Sequence, residues 1–387
     1  MGSARRAPPR PSAPVAPAGR EGDVRDDEAM QRALALGEQA RRRTPPNPWV
    51  GCVVVRGGAV VGEGACEPPG GPHAEIVALA AAGDRARGAA AVVTLEPCSH
   101  QGRTPPCADA LIEAGVTRVV AALEDPDSKV AGTGLARLRD AGIEVTTGVG
   151  AHDATDALAP YLHHRRTGRA YCLAKTAASI DGRVAAPDGS SRWITGESAR
   201  SDAHELRADS QAIVVGAGTA LADEPRLTVR DIAQPPLQPP TRVLLDARGR
   251  VPAVGPLFDT DLAPTLVVTT HTADPRAVDA WTAAGAKVET VAPAAGGVDL
   301  GAVLELLGRD GALQTLVEGG PILHGGFLTA ALVDRLVAYV APVALGARAR
   351  PMLGTWNAGS LSEAARFRLL DVRRIGADVR IDLEPER

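Results

Sequence analysis

The chain is 387 residues long, more than a single hydrophobic core usually serves, and two or three folded units are expected. A formal net charge of −4, with no basic run beyond Arg41-Arg42-Arg43, argues against an electrostatic nucleic-acid surface. No apolar stretch nears membrane-spanning length, no signal-peptide pattern is visible, and the five cysteines fit a reducing compartment. A cytoplasmic protein without membrane or nucleic-acid partners is expected.

In chain order, residues 1–28 are rich in Pro, Ala and Arg, lack periodicity and read as a disordered extension. From 29 to 150, helix and strand patterns alternate. Met30, Ala33, Leu34, Gly37 and Ala40 line one helix face, and strand patterns at 51–55 and 59–62 flank a hairpin turn at Arg56-Gly57-Gly58. A helix begins near His73, a strand covers 91–95, and a helix enters at Cys107 behind Pro105-Pro106. Strand 118–122, helix 135–141 and strand 143–147 complete a layered α/β domain with a mixed sheet. Residues 151–169, with Pro160, Gly168 and His163-His164-Arg165-Arg166, read as a solvated linker rather than a metal site.

Residues 170–387 form the second unit. Ala174-Lys175-Thr176-Ala177-Ala178-Ser179 starts as a strand, and a helix carries His204-Glu205-Leu206-Arg207. Thr315-Leu316-Val317-Glu318-Gly319-Gly320-Pro321 is a strand running into a glycine turn and a helix. Backbone amides at such a turn can approach a pyrophosphate. No Gly-x-Gly-x-x-Gly follows a first strand, so the ordinary dinucleotide fingerprint is absent.

The strongest chemical signal is His73-Ala74-Glu75 with Pro97-Cys98 and, after eight intervening residues, Cys107. One imidazole and two thiolates suit zinc and leave its fourth position open, the mark of a catalytic rather than a structural site. Nucleobase deaminases follow this plan, with a Glu two residues after the His relaying protons without binding the metal. Glu75 holds that place and is the expected acid–base group. Cys52 and Cys172 lie in apolar strand patterns and read as packing residues.

The stretch from Pro97 to Cys107 is longer than the usual Pro-Cys-x-x-Cys. It closely resembles the signature of the bifunctional riboflavin-biosynthesis family, a pyrimidine deaminase fused to a pyrimidine reductase. Thr44-Pro45-Pro46-Asn47-Pro48-Trp49-Val50-Gly51-Cys52, Asp125-Pro126 and Val130-Ala131-Gly132-Thr133-Gly134 are similar to further motifs of that family, and the resemblance runs from about residue 29 to the C-terminus. It implies a cytidine-deaminase-like three-layer domain over 29–150 and a dihydrofolate-reductase-like α/β domain over 170–387. It also implies one zinc ion and NADPH per chain, a pyrimidine ribosylamino phosphate as substrate, and a homo-oligomer. By the same resemblance Ala177, Trp193, Thr219, Asp223, Ala247 and the run Gly320, Pro321, Ile322, Leu323, His324, Gly325 and Gly326 would contact NADPH. Ser191, Arg207, Leu227, Arg230 and Glu318 would contact substrate, with Arg207 and Arg230 suited to clamp a phosphate.

Two positions depart from the family pattern. Ala247 stands where Ser or Thr is usual after Asp246, leaving Arg248 and Arg250 to meet a 2′-phosphate, and Cys66 stands where the family often has His. Two other readings share part of this pattern. A relative of the same architecture acting on another nucleobase-like substrate has the same motifs. A non-catalytic zinc-stabilised nucleic-acid binder needs a basic face and a fourth ligand, neither of which the sequence offers.

Overall fold

The computed structural model describes residues 24–101 and 105–386. Most of the N-terminal segment expected to be disordered, and residues 102–104 of the stretch between the two cysteines, lie outside the described residues. The first helix begins at Asp26, inside that expected extension.

The first domain comprises α1 (Asp26–Ala40), β1 (Gly51–Arg56), β2 (Ala59–Ala65), α2 (Ala74–Ala82), β3 (Ala90–Val93) and α3 (Cys107–Glu113). It continues with β4 (Arg118–Ala121), α4 (Thr133–Asp140), β5 (Glu144–Thr147), α5 (Ala151–Ala157) and α6 (Ala159–Thr167). The sheet order is β2-β1-β3-β4-β5; β1 runs antiparallel to β2 and β3, while β3, β4 and β5 are parallel. The mixed sheet is therefore as expected. Gly57 and Gly58 have φ of 56° and 77°, the positive values a tight hairpin between right-twisted strands requires.

Side chains alternate across this sheet with the period-two geometry of strands. Val53, Val92 and Val120 face Met30, Ala33 and Ala154 of α1 and α5. Val54, Ala91, Val93, Val119 and Ala121 face the other helices through Ala78, Leu111, Leu135 and Leu138. Three layers result, with apolar cores on both faces of the sheet.

Residues 151–169 differ from the expected solvated linker: α5 and α6 pack against the first domain. Leu158, Tyr161 and Leu162 are at most 3% exposed, and the Tyr161 hydroxyl donates to both oxygens of Asp125. Helices of seven and nine residues are too short to display a convincing apolar period, and Pro160, expected in the linker, sits in the first turn of α6 where proline is tolerated. The paired histidines are packing groups: His163 approaches Asp334 at 3.5 Å, and His164 bonds the Gly308 carbonyl at 3.0 Å.

The second domain opens with β6 (Tyr171–Ser179), β7 (Arg183–Ala185), α7 (Glu197–Ala208), β8 (Ala212–Gly216), α8 (Ala217–Asp223) and β9 (Thr241–Leu245). Next come β10 (Thr265–Thr269), α9 (Pro275–Ala283), β11 (Lys287–Thr290), the small hairpin of β12 (Pro293–Ala294) and β13 (Gly297–Val298), and α10 (Leu300–Arg309). The chain ends through β14 (Gln314–Val317), α11 (Pro321–Thr329), β15 (Arg335–Ala341), β16 (Arg350–Pro351), β17 (Phe367–Ile375) and β18 (Asp378–Pro385). Nine strands in the order β11-β10-β9-β8-β14-β6-β15-β18-β17 make one sheet, parallel except for the last two strands. Helices α8 and α9 cover one face and α10 and α11 the other, which places the crevice at the carboxyl ends of β8 and β14, where a ligand of an open α/β sheet binds.

The domains are joined by more than the chain. Arg42 donates to Glu205 of α7 and to Asp209, which caps that helix, both at 2.6 Å, and its carbonyl accepts from Leu237 at 3.1 Å. Leu313, just before β14, is buried in the core of the first domain.

Candidate active sites

The first site forms where α2, the end of β3 and α3 meet. His73 is the N-cap of α2, Glu75 lies in its first turn, and Cys107 opens α3 behind Pro106. Gly64 of β2 permits this approach, since a Cβ there would lie 2.6 Å from the Ala74 carbonyl oxygen. His73 Nδ1 is 3.6 Å from Cys98 Sγ and 3.3 Å from Cys107 Sγ, and all three ligand atoms lie within 4.8 Å of one another. Ligand atoms about 2.0–2.3 Å from a tetrahedral ion stand roughly 3.5 Å apart, so the trio fits zinc in chemistry and spacing. Among the described residues it is the one such convergence of three ligands.

Electrostatics match that use. Hydrogen bonds from Cys107 and His73 hold the Cys98 thiol down at about 4, whereas Cys107 is pushed up by its bond to Cys98 and by burial. Holding a metal ion would require both thiols as thiolates. Glu75 is 3% exposed, and burial pushes its carboxyl up to about 7; a divalent cation on the neighbouring ligands pulls the other way. Cys66 is beside this site but outside the trio, its thiol pushed up to about 12 by burial and by Glu75. Cys52 and Cys172 are fully buried in strands, as expected.

The second site is a cavity of about 1630 Å³ over the carboxyl ends of the parallel strands. It gathers Ala177, Ser191, Trp193, Arg207, Thr219, Asp223, Leu227, Arg230, Ala247, Glu318 and the run 320–324 with Gly326. Gly325 is the exception: it backs onto the segment at Thr355, where a Cβ would lie 2.3 Å from Thr355 Oγ1. The N-termini of α8 and α11 converge on this cavity so closely that a Cβ on Gly320 would stand 3.0 Å from Thr219 Oγ1. Trp193 and Ile322 are 69% and 66% exposed on its wall, broad apolar surfaces for a flat ring.

Arg207 differs from a free phosphate clamp. Its guanidinium bonds both oxygens of Glu318, at 2.5 and 2.9 Å, and donates to the Thr228 carbonyl at 3.0 Å. The physical reason is that Glu318 is buried and requires a counter-charge. Lys175, 3.6 Å from Glu318, supplies a second one, and together the cations outweigh burial and hold the carboxylate at about 2. Lys175 was missed from sequence, although a lysine in an otherwise apolar strand is a readable signal. His204 was missed too. Its Nδ1 accepts from the Arg230 backbone N–H at 3.2 Å, and burial with Arg207 and Arg230 lowers it to about 4.

The fold and these two sites define a zinc-dependent deaminase joined to a dinucleotide-dependent reductase. Comparison with known proteins agrees: residues 23–123 match the cytidine and deoxycytidylate deaminase zinc-binding region, and residues 170–381 match the RibD C-terminal domain. Riboflavin biosynthesis protein RibD of Chlamydia pneumoniae is 46% identical over 338 residues, spanning 87% of this chain and 89% of that protein. The solved structure of Acinetobacter baumannii RibD, form 1, superposes with a TM-score of 0.84 at 38% identity, over 94% of this chain and 99% of that one. A Thermotoga maritima structure described as a diaminohydroxyphosphoribosylaminopyrimidine deaminase and 5-amino-6-(5-phosphoribosylamino)uracil reductase gives a TM-score of 0.82 at 30% identity, over 93% and 98%. The chain belongs to the RibD family, and it is a bifunctional deaminase and reductase of riboflavin biosynthesis that uses zinc and NADPH. No helix among the described residues is long and apolar enough to cross a membrane.

Proposed function

We propose that the first domain removes the exocyclic 2-amino group of 2,5-diamino-6-ribosylamino-4(3H)-pyrimidinone 5′-phosphate, and that the second then reduces the ribosyl group of the product to a ribityl chain. The observation that carries the first step is the buried Glu75 carboxyl beside His73, Cys98 and Cys107. Zinc held by those three residues supplies the Lewis acidity that makes water an effective nucleophile near neutral pH. Glu75 takes a proton from the attacking water and delivers it to the departing amine, the second water hydrogen ends on the adjacent ring nitrogen, and ammonia leaves as the ring carbonyl forms. The thiolates and imidazole keep the ion in place, and burial excludes competing solvent.

In the second cavity, Trp193, Thr219, Asp223, Ala177 and residues 320–324 with Gly326 would hold NADPH, and the N-terminus of α11 would favour its pyrophosphate. Arg248 and Arg250 line the same cavity beside Ala247 and would meet the 2′-phosphate in place of the missing hydroxyl. Ser191, Leu227 and Arg230 contact the substrate, and the Arg207–Glu318 pair fixes the wall between substrate and cofactor. NADPH supplies the hydride, and the protein's task is orientation. Incubating the diaminopyrimidinone phosphate with the enzyme tests this reading. Without NADPH, mass spectrometry should show the deaminated compound alone; with NADPH, the ribityl product. Reduction of the diamino compound before any ammonia release would reverse the proposed order.

A further inference from the structure

We propose that Glu96, with the turn into α4, clamps both cysteine segments of the first site, making Glu96 a positioning residue for zinc binding. This inference rests on reading His73, Cys98 and Cys107 as the zinc ligands. Glu96 is 4% exposed and lies two residues before Cys98. Its carboxylate accepts four backbone N–H bonds: Oε2 from Asp125 at 3.1 Å and Gly132 at 2.9 Å, Oε1 from Gly134 at 2.8 Å and Leu135 at 3.1 Å. Gly132, Gly134 and Leu135 are the N-cap and first-turn residues of α4, whose amides have no partner within the helix. The carboxylate therefore caps α4 from a different segment, with its charge meeting the positive end of the helix.

The same turn reaches past Glu96 on both sides of the ligands. Gly134 packs so tightly that a Cβ would lie 1.9 Å from the Pro97 carbonyl oxygen. The hydroxyls of Ser99 and Thr133 are 2.6 Å apart. Arg137 donates to the Ser99 carbonyl at 3.4 Å and pairs with Asp109 of α3 at 2.5 Å. One short helix thus touches the residues before Cys98, the residue after it, and the turn that begins with Cys107. Between the cysteines themselves, the Cys107 N–H points at Cys98 Sγ at 3.3 Å and the Ala108 N–H donates to the Cys98 carbonyl at 3.1 Å.

The need for such a clamp follows from spacing. In a Cys-x-x-Cys pair, the short connecting chain keeps the thiols close. Here eight residues intervene, and closing a longer loop costs more conformational entropy. The α4 turn offsets that cost by fixing each end of the loop to the same helix. Outer-shell partners of this kind alter metal affinity without touching the metal.

The test uses the full-length chain. Zinc content and the rate of zinc release to a chelator are measured for the unmodified protein, Glu96→Gln and Arg137→Ala, with Cys98→Ser as the metal-free reference. NADPH oxidation by the deaminated substrate, read on the same samples, reports an intact second domain. Glu96→Gln should release zinc on the order of 10–100-fold faster while reduction is unchanged. Arg137→Ala, a change at a half-exposed residue, should shift release in the same direction by less. Zinc release at the unmodified rate in both variants overturns the proposal. A lower melting temperature of the zinc-free chain with unchanged release overturns it as well, by showing a purely structural role. If Glu96→Gln fails to fold, Arg137→Ala decides alone. Equal zinc uptake by the unmodified chain and Cys98→Ser would instead remove the ligand assignment, and this inference with it.

Discussion

Two buried carboxylates, one in each domain, sit in opposite electrostatic settings. Glu75 is surrounded by apolar residues and thiols, and burial carries it up to about 7; Glu318, its side chain 8% exposed, is held at about 2 by Arg207 and Lys175. Desolvation acts on both, so the difference lies in whether cations stand beside the group. A carboxyl poised near neutrality suits proton relay, whereas one locked in its charged form suits holding a wall and its cations in position. The surroundings of the two sites follow the same division. The first is assembled from residues 73–107 around one metal, and the second draws on residues 175–355 around an open cavity.

The largest effects expected from breaking this comparison are at the ligands. Cys98→Ser or Cys107→Ser should lose the zinc and with it all deamination, because hydroxyl is a far poorer ligand than thiolate, while Cys66→Ser keeps full stoichiometry. Metal analysis decides, and zinc loss on changing Cys66 but not Cys107 would redraw the trio. Next, Glu75→Gln should retain zinc but lower deamination by on the order of 10²–10⁴-fold, leaving reduction of the deaminated substrate intact. An ammonia-release assay on zinc-loaded protein measures this.

In the second domain the prediction is one of stability. Arg207→Ala strips Glu318 of its bidentate partner and should destabilise by about 3–5 kcal/mol, as removal of one member of a buried pair does. Adding Glu318→Gln should recover part of that loss in denaturant unfolding; a double variant no better than the single would show that the pair is not coupled. The acid limb sharpens the same point. Glu318 has a folded value of about 2, below its ordinary 4.5, so its stabilisation is complete above about 4.5 and is lost as pH falls toward 2. The span corresponds to roughly 3 kcal/mol, and Glu318→Gln should flatten the stability profile in that window. An unchanged profile would place the acid sensitivity elsewhere. The smallest effect should come from Arg42→Ala, which cuts the partly buried ion pairs to α7 and is expected to cost about 1 kcal/mol. Differential calorimetry would show whether the two domains then unfold more independently.

That interface also marks where reading the chain alone reached its limit. His73, Glu75, Cys98 and Cys107 were legible because ligand chemistry restricts residue type and because each sits at a helix start or behind a strand, which local pattern reveals. The hairpin at Gly57-Gly58 and the order of helices and strands were legible for the same reason: short-range sterics and hydrophobic period decide them. What α5 and α6 do was not legible, since Leu158, Tyr161 and Leu162 matter only through the surfaces they meet. Nor was the capping of three α4 amides by Glu96, or the capture of Arg207 by Glu318 and of Glu318 by Lys175, because partners 36 to 143 residues apart are chosen by burial. A polar group withdrawn from water must find its counterpart wherever the packed chain has brought one, and only the tertiary structure decides which one that is.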